Sequence, residues 1–124
     1  MSALASEART RSMRLVHAAR ALRPHATKAA TLLKSLGNEQ RLMLLCHLVS
    51  GPLSVGELHE RMALSQSALS QHLGILRRSG AVTSKRRSQR IIYSLPPGTV
   101  TGIIGLVHER FGPGGSEKST RSPA

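Results

Sequence analysis

The stretch from Ser54 to Gly80, "SVGELHERMALSQSALSQHLGILRRSG", leaves the chain least freedom. Ser54 followed three positions later by Glu57 forms a capping box. The serine oxygen takes one unpaired N–H at a helix start, and the glutamate reaches back to another. The short helix this opens runs to about Met62. Ala63 to Ser65 is a tight link, with Ser65 placed to cap a second helix. At roughly 100° per residue, Ala68, Leu69, His72, Leu73, Ile75 and Leu76 fall on one arc of that helix. Gln66, Ser67, Ser70, Gln71, Gly74, Arg77 and Arg78 fill the other. Gly80 supplies a left-handed stop. A short helix, a tight link and an amphipathic second helix make a helix-turn-helix.

The polar arc is unusual. A helix face that meets only water commonly carries Glu–Lys pairs, and this one holds no acid. Glutamine and serine carry donors and acceptors on stems short enough to lie against a base edge. His72, within the apolar arc, is expected to be a half-buried structural residue before it is a DNA contact. After Gly80, "AVTSKRRSQRIIYSL" alternates around a basic centre. Val82 and Ser84, then Ile91, Tyr93 and Leu95, suit two antiparallel strands joined near Arg87-Ser88. A hairpin following a helix-turn-helix is a wing. Lys85, Arg86, Arg87, Gln89 and Arg90 lie at its tip with no acid nearby in sequence. With Arg77 and Arg78 that makes six cations between positions 77 and 90. Such a run is an electrostatic footprint for a polyanion. The DNA-contacting set expected from these patterns is Ser65, Gln66, Ser67, Ser70, Gln71, Arg77, Arg78, Lys85, Arg86, Arg87, Gln89 and Arg90.

Composition points the same way. Lys and Arg number 18 against 6 acids, none of them Asp, for a net charge of +12. That field favours nucleic acid first and an anionic membrane surface second. No apolar run approaches the roughly 18 residues of a membrane span. One Tyr, one Phe and no Trp leave little to stack on unpaired bases, so duplex DNA is favoured over single strands. One cysteine excludes an intrachain disulfide and fits a reducing cytoplasm.

The rest of the chain supplies a scaffold. "ATKAATLLKSL", Ala26 to Leu36, is a helix with Ala29, Leu32, Leu33 and Leu36 on one face. Gly37 stops it and Asn38 caps the next. That helix, "EQRLMLLCHLVSG", is apolar nearly all round and is expected to be buried centrally. Thr99 to Phe111 places Val100, Ile103, Ile104, Val107 and Phe111 at helical spacing, with nothing after it to cover the stripe. Together with Leu32 and Leu33 these residues form the expected dimer interface. Residues 1–23 read as a basic arm or an extra helix, the first dozen, which lack apolar periodicity, reading as disordered. Residues 24–111 form the DNA-binding and dimerisation domain, and residues 112–124, "GPGGSEKSTRSPA" from Gly112, read as a disordered tail. The expected fold is mainly α: a winged helix-turn-helix of about five helices plus a two-stranded wing.

The segments "LLKSLGNEQRLMLLCHL", "LSVGELHERMALSQSALSQHLGILRRSGAV" and "RRSQRIIYSL" together resemble the ArsR/SmtB-type winged-helix repressors, over Ala29 to Phe111. The resemblance is strongest to the thiol-based branch, the BigR/SqrR/HlyU type. It implies a cytoplasmic homodimer that binds a palindromic operator and releases it when an effector arrives. It also implies an effector-sensing thiol at Cys46. The branch pairs that cysteine with a second just after the last helix, where this chain has Phe111-Gly112, so a dithiol switch is absent. Cys46 therefore has two readings: a small hydrophobe packed in an apolar helix, or a lone thiol open to persulfide or oxidant. The metal-sensing members place a cysteine pair in the helix that here reads "SVGELHERM", or ligands along the last helix, where only His108 and Glu109 stand. Buried structure is the default for His17, His25, His47 and His59. No cofactor and no metal site is expected.

Two other classes compete. A metal-responsive member of the same family would need four good ligands for a closed zinc site. A basic protein that coats DNA without sequence choice needs cations and wedges but no Ser/Gln face. An enzyme is disfavoured, since no motif has catalytic spacing and acids are few.

Overall fold

Local signals in the sequence set the element boundaries. The computed structural model describes residues 2–113, so positions 114–124 of the expected tail lie outside the described residues. Helix α1 spans Ser2–Leu22, followed by a 3-10 turn at Arg23–His25 and α2 at Ala26–Leu36. Next come α3 (Glu39–Leu48), β1 (Leu53–Ser54), α4 (Val55–Arg61) and α5 (Gln66–Arg78). The hairpin strands β2 (Thr83–Arg87) and β3 (Arg90–Ser94) lead to α6 (Thr99–Phe111). The described residues divide into two compact units, one up to Thr31 and one from Leu32 onward.

The expected caps are in place. Asn38 Oδ1 accepts from the Arg41 amide at 3.1 Å and opens α3. At the start of α4, the Glu57 amide donates to Ser54 Oγ at 3.1 Å, and the Ser54 amide donates to Glu57 Oε1 at 2.9 Å. Ser65 Oγ accepts from the Ala68 amide at 3.1 Å and opens α5. At the far end of α5, Gly80 takes φ +83°. Its amide donates to the Arg77 carbonyl at 3.1 Å, and the Ala81 amide donates to the Leu76 carbonyl at 2.9 Å. This double closure is the Schellman arrangement, and it needs the left-handed glycine.

The wing is larger than expected. Strand β1 adds to the hairpin, giving three antiparallel strands in the order β1-β3-β2. Leu53 pairs with Tyr93 and Ser54 with Ile92. Two residues are too short a run to show alternation, so this strand leaves no periodic trace. In the hairpin Lys85 faces Ile92, Arg86 faces Ile91 and Arg87 faces Arg90. Ser88 turns the corner at φ +56°.

The core of the larger unit is a leucine cluster. Leu44, Leu45 and Leu48 of α3 meet Leu58 of α4, and Leu69, Leu73 and Leu76 of α5. Leu36, Leu53, Met62, Ala81, Val82, Val100 and Ile104 complete it. Each leucine so buried contributes about 1.5–3 kcal/mol relative to exposure.

Four expectations are corrected here. Helix α3 is buried on one side only: Met43, Cys46 and Val49 are exposed. Val100 and Ile104, expected at the dimer interface, lie in the chain's own core at 3% and 4% exposure. Their i, i+4 spacing turns both inward, into the leucine cluster. Of the remaining interface candidates, Leu32, Ile103 and Val107 are half-buried, while Leu33 and Phe111 are exposed. Leu106, absent from the expected set, is also exposed. His17, His25 and His59 are exposed rather than buried, and His47 is half-buried. Finally, the first dozen residues are helical from Ser2. Alanine, arginine and leucine dominate that stretch, and their helix propensity is high.

Candidate nucleic-acid interface

Helix α5 is held by its apolar arc and leaves its polar arc free. Leu69, Leu73 and Leu76 are fully or almost fully buried, at i, i+4 and i+7. Gln66, Ser67, Ser70, Gln71, Arg77 and Arg78 are all exposed. Ser65 is exposed as well, but its oxygen serves the helix cap, leaving the hydroxyl proton and one lone pair for other partners. The Arg78 guanidinium folds back so that a Cβ at Gly74 would stand 3.2 Å from its Nη1.

Beside α5, the hairpin exposes Lys85, Arg86, Arg87, Gln89 and Arg90. A groove of about 720 Å³ runs between α4, α5 and the sheet. It brings Gln66, Ser70 and Arg77 of α5 together with Gln89 and Arg90 of the wing. Ser67, Gln71, Arg78, Lys85, Arg86 and Arg87 do not line this groove and face solvent elsewhere.

Arg90 departs from the expectation that no acid stands near the wing cations. Its Nη2 lies 4.0 Å from Glu57 Oε1 and 3.3 Å from Ser54 Oγ. Pairing β3 beside β1 carries Arg90 to the capping box of α4, far from it in sequence. Both partners are largely exposed, so the pair is worth little as stability. Its effect is to aim one wing cation along the groove. The backbone N–H and then the hydroxyl of Ser54 hold the Glu57 carboxyl below its ordinary value, with smaller help from Arg90 and Arg61.

Sequence reasoning missed a second cross-chain fixture, centred on Arg41 of α3. Its Nε donates to the Ser35 carbonyl at 2.6 Å and its Nη2 to the Lys34 carbonyl at 3.4 Å. These are last-turn carbonyls of α2, which lack helical partners. Arg41 Nη1 also lies 3.4 Å from Nδ1 of half-buried His72 in α5. Ser79, at the end of α5, places its Oγ 2.8 Å from that of buried Ser35. The C-terminal end of α2 is thus fastened to α5 at two points. The one available signal was Arg41 itself, a cation placed just after a helix end.

Cys46 lies on the exposed side of α3, between Met43 and Val49. Desolvation pushes its pKa above the ordinary thiol value, and no cation offsets that effect. Among the described residues, no group of three or more His, Cys, Asp or Glu side chains is arranged to hold a metal ion. No helix among them is long and apolar enough to cross a membrane.

Comparison with known proteins agrees with this geometry. Residues 38–84 match the model of the family described as "Bacterial regulatory protein, arsR family". The transcriptional activator HlyU of Vibrio cholerae is 47% identical over 87 residues, covering 70% of this chain and 81% of that protein. The solved structure of that HlyU superposes with a TM-score of 0.68 over 72% of this chain and 97% of its own, at 46% identity. The transcriptional repressor BigR from Xylella fastidiosa gives 0.66 at 38% identity, over 74% of this chain and 94% of its own. The homodimeric winged helix-turn-helix domain of Mb0332 from Mycobacterium bovis gives 0.65 at 25% identity, over 68% and 79%. With a helix-turn-helix ending in an acid-free polar face, a basic wing beside it and relatives of this kind, the chain belongs to the ArsR family of bacterial transcriptional regulators.

Proposed function

We propose that the chain is a homodimeric, cytoplasmic repressor that reads a palindromic operator with α5 and grips flanking phosphates with its wing. It releases the operator when Cys46 is modified by reactive sulfur or an oxidant. The observation that carries the reading is the exposed, acid-free Gln66, Ser67, Ser70 and Gln71 face of a helix pinned by buried leucines. A glutamine can pair with adenine through both amide groups, worth about 1–3 kcal/mol of discrimination per good pair. Arg77, Arg78, Lys85, Arg86 and Arg87 supply affinity without sequence choice, and Arg90, aimed by Glu57, joins them with Gln89 along the groove. The repressor BigR and the activator HlyU are both relatives. Repression is the sense favoured here, because a protein seated on an operator blocks access to it.

The dimer is assigned to apolar side chains that one protomer leaves uncovered: Leu33, Leu106 and Phe111, with Leu32, Ile103 and Val107 at their margins. A two-fold pair would then read half-sites about 10 base pairs, or a multiple of one turn, apart.

Cys46 acts alone in this reading, since the chain holds no other cysteine. The exposed position admits reagent, while the raised pKa keeps the thiol mostly protonated near neutrality, so its reaction is slow compared with an activated thiolate. An adduct places a polar or bulky group on the apolar outer face of α3. A coupling of about 1–3 kcal/mol between that face and DNA binding changes affinity about 5- to 150-fold.

The test is binding of the purified protein to an operator selected from a random duplex library, with Cys46 intact and with Cys46→Ser. Persulfide or peroxide should weaken binding by the parent only, with a single adduct on Cys46 by mass spectrometry. A serine variant that responds like the parent removes the thiol from the mechanism.

A further inference from the structure

Helix α1 carries a surface that the family's DNA-binding body does not account for. At roughly 100° per residue, its side chains sort into two arcs. Leu4, Ala5, Ala8, Leu15, Val16, Ala19 and Leu22 share one side, roughly a third of the circumference. On the other, Arg9 and Arg20 lie toward one border and Arg14 and Arg11 toward the opposite one, with Ser6, Thr10, His17, Met13 and the acid Glu7 also on that side. Every residue of α1 whose side chain is described is exposed. Up to Thr31 this unit holds Arg9, Arg11, Arg14, Arg20, Arg23 and Lys28 against the single acid Glu7. Among the described residues the one ion pair is Arg90 with Glu57, so no arginine of α1 is neutralised within the described part of the protein.

We propose that the basic arc of α1 is an accessory contact for duplex DNA, binding phosphates beyond those reached by α5 and the wing. This rests on the DNA-binding reading above and extends it to a separate unit of the chain. Three arguments favour duplex DNA as the occupant. Its charge is complementary, and each phosphate neutralised by arginine releases condensed counterions. A helix of 21 residues is about 30 Å long, close to one turn of the double helix at ~34 Å. Ser6, Thr10 and His17 on the same side add neutral donors for phosphate oxygens. Single strands are poorly served, because α1 has no aromatic side chain of the Phe, Tyr or Trp type to stack on bases. A membrane surface is less well served, because the apolar arc lacks the Trp or Phe that anchors an interfacial helix.

The experiment compares the full chain with a full-chain variant carrying Arg9→Gln, Arg11→Gln, Arg14→Gln and Arg20→Gln. Glutamine is close to arginine in helix propensity, and circular dichroism checks that the helix persists. Both proteins are titrated against a random-sequence duplex of about 40 base pairs between about 50 and 200 mM salt, a range over which counterion release dominates. Each phosphate that is no longer neutralised lowers the slope of log affinity against log salt by about 0.9. With two such phosphates, the variant's deficit at about 50 mM is on the order of ten-fold greater than at about 200 mM. Replacing the same four arginines by lysine should restore the slope. Equal slopes for parent and glutamine variant overturn the inference while leaving the proposed function standing. Equal slopes with dissociation to monomers in sedimentation make a second copy the occupant. Equal slopes with parent-specific flotation on phosphatidylserine vesicles make it a membrane. A parent that binds no duplex at all overturns the proposed function itself.

Discussion

Helix α5 and the β2–β3 hairpin sit side by side but are built by opposite rules. Helix α5 is anchored by Leu69, Leu73 and Leu76, closed at both ends by its own caps, and tied to α2 through Arg41 and Ser79. Its outer face is uncharged until the last turn. The hairpin has an outer surface of cations, a serine in the left-handed region at its tip, and little of its own side-chain surface buried. Reading a base edge needs donors and acceptors held to within a fraction of an ångström, which requires a rigid support. Phosphate contact is a point-charge interaction that tolerates movement. The contrast teaches that rigidity in this molecule is concentrated where sequence would be read and withheld where charge alone suffices.

The largest effect should come from breaking the rigid side. Leu69 is fully buried, and Leu69→Ala should destabilise the domain by about 2–5 kcal/mol. Denaturant unfolding measures this, and DNA binding of every kind should fall with it. A loss below about 1 kcal/mol, well under the range for such truncations, would mean that α5 is not held by its apolar arc.

Next in size is Ser54→Ala. Ser54 caps α4 and accepts from Arg90, and loss of such a cap costs about 1 kcal/mol. This variant also tests a pH dependence. Glu57 has a lowered folded-state pKa, so its contribution is present above the ordinary carboxylate value near 4.5 and is lost as pH falls through the lower folded value. Thermal melts across that acid range should show a limb in the parent that is flatter in Ser54→Ala. Parallel curves would mean that the backbone N–H of residue 54, which alanine keeps, holds the carboxylate without help from the hydroxyl.

The smallest effect sharpens the comparison from the other direction. Gly74→Ala should stabilise α5 by about 0.5–1 kcal/mol, the difference in helix propensity. The added Cβ meets only the end of Arg78, which is exposed and free to swing. A destabilised variant would show that the guanidinium is fixed over the glycine.

How much of this was legible in the sequence depended on distance along the chain. The Ser54–Glu57 box, the Ser65 cap and the Gly80 stop are local, and their residue types specify them within about four positions. The acid-free face of α5 follows from period alone. What escaped was set by which element covers which. Val100 and Ile104 read as an outer stripe because nothing follows them in sequence, yet they join a core built from residues earlier in the chain. Cys46 kept two readings, packed or open to reagent, because its helix is apolar nearly all round, and the core reaches only one side of it. The pairs Arg90–Glu57 and Arg41–His72 join residues far apart in sequence, and no local pattern announces them.

The central claim is the division of labour between α5 and the wing. The most direct test titrates Gln71→Ala and Arg87→Ala against the selected operator and a random duplex of equal length, at several salt concentrations. Gln71→Ala should lose about 1–3 kcal/mol on the operator alone, with the salt slope unchanged. Arg87→Ala should weaken both duplexes alike and lower the slope by about one unit for each phosphate it had neutralised. Equal losses on both duplexes for Gln71→Ala, or lost discrimination at constant slope for Arg87→Ala, would contradict the account.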